Sequence, residues 1–243
     1  MNKLEGKIAI VTGASRSIGK AIAIAFAEEG ANLVLAARGI DNLNAAAEKI
    51  KSLGCEALAV PTDVMKETDI ENLFKKAMER FGRLDILVNN SGIFYGGPMD
   101  KISTKIWDDV IATNLRAPFL CTRMAFAIMK NQGGGRIINI GSISASRVRP
   151  CNAPYNSSKF GLVGLTHTTA LEGRKFNITC GILHPGNVER DDDLVRKAPL
   201  NEEPMMKQKE IAEAVVFMAS QPSSINVLEI IQLPKDQPYL GRG

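Results

Sequence analysis

The stretch KIAIVTGASRSIGKAIAIAFAEEG, residues 7–30, decides the fold. Its first part, KIAIVTG, is a short run of β-branched and small apolar residues, as expected for a strand buried on both faces. From Ser17 to Glu29 the apolar residues recur at helical spacing, and Gly30 supplies the left-handed position that ends a helix. Between strand and helix lies the turn TGASRSIG. Gly13 suits a tight turn there, and Gly19 lets the helix approach the sheet closely. The amides at the start of such a helix point outward with the positive end of its dipole, so the turn fits a pyrophosphate. Its spacing departs from the common GxGxxG pattern. A glycine turn alone also serves purely structural ends, but the strand–turn–helix setting favours dinucleotide binding.

The same rhythm continues outward. NLVLAAR (32–38), CEALAVPTD (55–63), LDILVNNSG (84–92), GRIINIGS (135–142), NITCGILHPG (177–186) and VLEIIQL (227–233) read as further strands. Helices are expected over Asp41 to Leu53, Lys66 to Phe81, Ser103 to Lys130 with a kink near Pro118, and Tyr155 to Glu172. Strand–helix alternation predicts an α/β Rossmann-type fold: one doubly wound domain over 1–243, with a mainly parallel seven-stranded sheet and helices on both faces. VLEIIQL takes the edge of that sheet. The polar segment Asn187 to Pro204, with its run ERDDD, breaks the rhythm and is expected to be a variable surface segment that serves substrate.

Composition narrows the function. The net charge is +4, no Lys/Arg block stands out, and 5% of residues are aromatic, so nucleic acid is not an expected partner. No apolar run reaches membrane-span length, and IAIV is too short for a signal peptide core. The four cysteines are scattered and there are two histidines, which predicts reduced thiols, a cytoplasmic location and no metal site.

A second constellation carries chemistry. In YNSSKFGLVGL, Tyr155 and Lys159 are four residues apart and share a helical face, with Ser142 thirteen residues upstream. A nearby ammonium favours the phenolate and brings a Tyr hydroxyl toward neutral-pH acid/base work, while a Ser hydroxyl can hold a carbonyl or alkoxide oxygen. At the end of the second strand no acid follows Ala37; Arg38 does, and Arg16 sits in the glycine turn. Cationic residues there suit a 2′-phosphate, so NADP(H) is expected over NAD(H).

Together these residues resemble the short-chain dehydrogenase/reductase family over about residues 5–186. TGASRSIG resembles the family's TGxxxGxG loop, NNSG its NNAG, and YNSSK its catalytic Tyr and Lys. The resemblance implies a catalytic set of Asn114, Ser142, Tyr155 and Lys159. It implies cofactor contacts at Gly13, Ser15, Arg16, Ser17, Ile18, Gly19, Arg38, Asp63, Val64, Asn90, Ser91, Gly92, Tyr155, Lys159, Pro185, Gly186 and Val188. Substrate would meet Phe94, Ser142, Ser144 and Tyr155. Arg147 and Arg149 suggest attraction of an anionic substrate, with solvated surface charge as the alternative. The implied activity is interconversion of a carbonyl compound and a secondary alcohol, the partner being that small molecule. The alternatives are a 3-oxoacyl-acyl-carrier-protein reductase and a non-catalytic dinucleotide sensor or scaffold. Subunit pairing through the two long helices, as homotetramer or homodimer, is also implied. Four departures stand out: Ser17 in place of the loop's middle Gly, Ser91 for Ala, Arg190 for a Thr, and an ending without the Gly-rich final strand. Ser17 is a good N-cap residue, and the two histidines, His167 and His184, read as structural or surface residues.

Overall fold

A computed structural model describes residues 2–189 and 203–239. Seven strands form one parallel sheet: β1 (Ile8–Thr12), β2 (Asn32–Ala37), β3 (Ala57–Pro61), β4 (Ile86–Asn89), β5 (Gly135–Ile140), β6 (Ile178–Pro185) and β7 (Glu229–Gln232). Their order is β3-β2-β1-β4-β5-β6-β7. After β3 the chain returns to the far side of β1, so the direction of winding reverses between β1 and β4, and a crevice opens at their carboxyl ends.

Alternation along the central strands builds two cores. Ala9, Val11, Leu33 and Leu35 face α1 (Ser17–Glu28), α2 (Ile40–Lys51) and α7 (Gln208–Ala219). Ile10, Val34 and Ala36 face the other way, onto α3 (Glu67–Phe81) and α5 (Ala117–Gln132). Both faces being covered explains why the strands read as continuous apolar runs rather than as alternating ones. β7 is the exception: Ile231 is 45% exposed at the sheet edge.

The long pattern expected over Ser103 to Lys130 is divided. α4 (Thr104–Ile111) passes into a π turn, Ala112–Arg116, before α5 begins. Pro118 lies two residues beyond that turn, and because the chain stays helical from α4 into α5, its missing N–H leaves a helical carbonyl without its usual donor. The irregularity expected near Pro118 takes the form of a π turn that holds Asn114; such insertions recur at functional sites. α6 (Ala153–Gly173) carries Tyr155 and Lys159. A buried polar ladder fixes it against the sheet: Asn89 Nδ2 donates to Asn139 Oδ1 at 2.9 Å, and Asn139 Nδ2 donates to Thr166 Oγ1 at 2.8 Å. No helix among the described residues is long and apolar enough to cross a membrane.

Candidate active site

The glycine turn leaves the carboxyl end of β1 and is built by collisions that only glycine avoids. Gly13 has φ +67°. A Cβ on Gly19 would run into the Gly13 carbonyl and the Asn90 amide. Asn90 closes the turn from β4, its Nδ2 donating to the Thr12 carbonyl at 2.9 Å. Thr12 Oγ1 accepts the N–H groups of Asn90 at 2.9 Å and Ser91 at 3.1 Å. Thr12 is thus the pin joining the two strand ends, a role the sequence reading did not find. Ser15, Arg16 and Ile18 complete the turn, and Ser15 and Ile18 are partly buried. This tight, backbone-lined cradle fits a pyrophosphate.

Asp63 and Val64 follow β3 at the same edge of the sheet. Asp63 Oδ1 accepts the Met65 N–H at 3.1 Å, an Asx turn leading into α3. Arg38 follows β2, exposed and without an ion pair among the described residues. Pro185 ends β6; Gly186 then donates its N–H to the Gln232 carbonyl at 2.8 Å. Val188 bridges to Met206.

The side chains expected to be catalytic gather one strand further along. Ser142 follows β5, and its Oγ accepts the Ser144 N–H at 3.1 Å, which leaves the hydroxyl proton to donate elsewhere. Lys159 is 6% exposed. Its Nζ donates to the Ile140 carbonyl at 2.8 Å and lies 5.6 Å from the centre of the Tyr155 ring. Burial lowers the lysine pKa from 10.5 to about 8. Phe94 meets Tyr155 edge to face at 4.8 Å. Asn114 is spent on backbone: Oδ1 accepts the Ile93 N–H, and Nδ2 donates to the Ile93 carbonyl, both at 2.9 Å. Nδ2 also reaches Ser158 Oγ at 3.2 Å. The side chain therefore clamps the loop after β4 to α6, and Gly92 lies beside it.

Among known proteins, residues 7–199 match the short chain dehydrogenase family. The chain belongs to that family. A 3-oxoacyl-acyl-carrier-protein reductase, FabG, of Staphylococcus epidermidis is 37% identical over 225 residues, covering 88% of this chain and 91% of that relative. A solved metagenomic short-chain oxidoreductase in complex with NADP superposes with a TM-score of 0.84 at 32% identity, over 96% of this chain and 99% of that one. An alcohol dehydrogenase from the archaeon Thermococcus sibiricus, complexed with 5-hydroxy-NADP, gives 0.85 at 31% identity over 94% and 96%.

Against the dehydrogenase pattern, the departures have physical signatures. Ser17, where the loop commonly has Gly, adopts φ +49°. A side chain in that left-handed region costs about 1–2 kcal/mol, the strain that Gly would relieve. Ser17 is not the N-cap of α1 as its residue type suggested; Arg16 is, with extended backbone. Arg190 lies outside the described residues, as does most of the variable segment. The cationic loop is less free than its sequence suggested. Arg149 Nη2 donates to Glu203 Oε2 at 2.9 Å, an oxygen that also takes Asn187 Nδ2 at 2.8 Å. Arg147 sits 5.6 Å over the Tyr239 ring. Arg149 is thus paired with Glu203, while Arg147 keeps its charge against an aromatic face.

The unusual chain ending also takes part, which the sequence did not signal. Tyr239 Oη lies 2.8 Å from Ser146 Oγ, and Gln237 Oε1 accepts the Asn187 N–H at 2.9 Å. The tail thereby braces the two loops that flank Ser142.

Proposed function

We propose that this protein is an NADP(H)-dependent oxidoreductase that interconverts a carbonyl compound and a secondary alcohol, with Tyr155 as general acid/base. The observation that carries the reading is Lys159: a buried ammonium with one hydrogen bond to Ile140, set beside the Tyr155 ring at the carboxyl end of the sheet. The other two N–H donors of its ammonium fit the hydroxyls of a nicotinamide ribose. A binding-only protein could use the cation for the ribose but has no use for a phenol placed beside it as a proton relay.

In the reductive direction Tyr155 Oη gives its proton to the substrate oxygen. Lys159 stabilises the phenolate that results, by the attraction between opposite charges in a low-dielectric site. Ser142 Oγ donates a hydrogen bond to the same oxygen and holds it in place. Asn114 fixes the loop that carries Phe94, so the aromatic wall against Tyr155 stays in position. Ser144 keeps Ser142 aligned through its N–H. Bound nicotinamide supplies or accepts the hydride. Among carbonyl substrates, 3-oxoacyl thioesters form the second reading, favoured by the 37% identity to the staphylococcal reductase.

Arg38 and Arg16 are proposed to receive the 2′-phosphate. Titration of the protein with NADPH and NADH is expected to show NADPH binding about tenfold tighter or more, since one charge-assisted pair is worth over 1.4 kcal/mol. Arg38→Ala should narrow that preference, and Ser17→Gly should tighten both cofactors by freeing the turn. Equal affinity for the two cofactors in the wild type would refute the assignment.

Assembly is proposed to follow the family habit. Trp107, Phe119 and Phe160 expose apolar surface on α4, α5 and α6, at 38%, 47% and 49%. A homodimer or homotetramer would cover it. Size-exclusion chromatography with light scattering should give a mass of at least two chains; a monomer mass at micromolar concentration would contradict this.

A further inference from the structure

His184 is a deeply buried titratable group that the proposed reaction does not use. It lies on β6, is 3% exposed, and its ring rests against the backbone of Ser142. The Ser142 N–H donates to Nδ1 at 3.2 Å, and the same nitrogen lies 2.8 Å from the Ser142 carbonyl oxygen. That carbonyl has a second partner, the Ala145 N–H at 2.9 Å. Among the described residues the Ser142 amide has the imidazole alone.

The neighbouring sequence is shaped for this ring. A Cβ on Gly141 would come within 2.6 Å of Nδ1 and 2.8 Å of Cε1, so only a glycine before Ser142 admits the imidazole. On the other side, Nε2 lies 3.4 Å from Glu229 Oε1 on β7. Three charged or titratable groups face the ring: Glu229 from β7, and Lys159 and His167 from α6. Burial is the strongest influence on it and holds its pKa below the usual imidazole value, so the ring is neutral at neutral pH. Nδ1 makes one of its two contacts at a time: protonated it donates to the Ser142 carbonyl, unprotonated it accepts the Ser142 N–H, and in either tautomer the ring is tied to the Ser142 backbone.

We propose that His184 is a positioning residue for the reaction: its Nδ1 holds the Ser142 backbone, and so the Ser142 hydroxyl, at the geometry from which it meets the substrate oxygen. This rests on the reading of Ser142 given above. Residues so close to a reacting group matter because a displacement of about 1 Å can cost about 100-fold in rate. His184 touches neither substrate nor the reacting atoms. It acts through the two residues that flank the turn, Gly141 and Ser142.

The test compares His184→Leu, His184→Asn and His184→Gln in the full chain. The Asn amide reaches about as far as Nδ1, whereas the Gln amide reaches about as far as Nε2. Amide hydrogen exchange over residues 141–145 needs no substrate. It should be about tenfold faster or more in His184→Leu and near wild type in His184→Asn. With NADPH and ethyl acetoacetate as the probe ketone, kcat should fall about tenfold or more in His184→Leu and recover to within about threefold in His184→Asn, while the NADPH Kd changes less than about twofold. If His184→Leu does not fold, the other pair decides: Asn near wild type with Gln impaired supports the proposal. Unchanged exchange and kcat in His184→Leu, or Asn and Gln equally impaired, overturns it. Ser142→Ala run in parallel separates the two claims. Full turnover in Ser142→Ala rejects the serine's role itself, whereas loss there with a wild-type-like His184→Leu rejects only the positioning.

Discussion

Tyr155→Phe is expected to lower turnover by about 10²–10⁴-fold, the usual contribution of a positioned general acid/base, while leaving NADPH binding within about threefold. The substitution removes one oxygen from a partly buried side chain. The ring stays, and with it the edge-to-face contact with Phe94 at 4.8 Å and the place of the Lys159 ammonium over the ring. What disappears is the proton. A substrate oxygen that gains negative charge as it is reduced then has only the Ser142 hydroxyl, which can stabilise the charge but cannot end it. Turnover near the wild-type value in Tyr155→Phe would remove Tyr155 from the mechanism.

Lys159→Met is expected to abolish useful turnover and, at the same time, to stabilise the fold at neutral pH. Burial lowers the Lys159 pKa from 10.5 to about 8, so the charged form is disfavoured in the folded chain. That difference corresponds to roughly 3 kcal/mol. Loss of the hydrogen bond to the Ile140 carbonyl takes back about 1 kcal/mol, leaving a gain of about 2. The pH dependence has a definite sign. Below pH about 8 the lysine is protonated whether folded or unfolded, and the full penalty is present. As pH rises from about 8 to 10.5 the folded chain sheds the proton first, the penalty fades, and wild-type stability climbs toward that of the variant. Chemical denaturation of both proteins between pH 7 and pH 10 measures this. A variant less stable than wild type at pH 7, or a stability difference that does not shrink with pH, contradicts the buried, poorly solvated cation. Such a cation is an expense that function, not folding, explains.

Much of this was legible in the chain, for identifiable reasons. The order of strands and helices could be read because both faces of the sheet are covered, which writes each inner strand as an apolar run such as IAIV or GRIINI. Gly30, Gly54 and Gly82 marked helix ends and do adopt φ of +86°, +88° and +70°. The Tyr155–Lys159 pair could be read because a helical turn sets their spacing. What could not be read depends on contacts between segments distant in sequence. At Asn114 what stayed open was which backbone its amide would tie down, Ile93 at both ends, and that the bend in its helix would be a π turn. Arg149 looked available because Glu203, fifty-four residues later, is not visible as its partner from sequence. His184 looked unremarkable beside Pro185, since only the β5–β6 pairing sets its ring against Ser142. Ser17 showed its substitution but not its strain, which is a property of φ.

The most direct measurement is NADPH oxidation by the wild-type protein across ketones, aldehydes, 3-oxoacyl thioesters and quinones, with Tyr155→Phe assayed beside it. The account predicts at least one carbonyl substrate that is reduced with NADPH in preference to NADH, through an activity that Tyr155→Phe loses. NADPH binding without reduction of any of these carbonyls, or reduction that Tyr155→Phe carries out equally well, would contradict it.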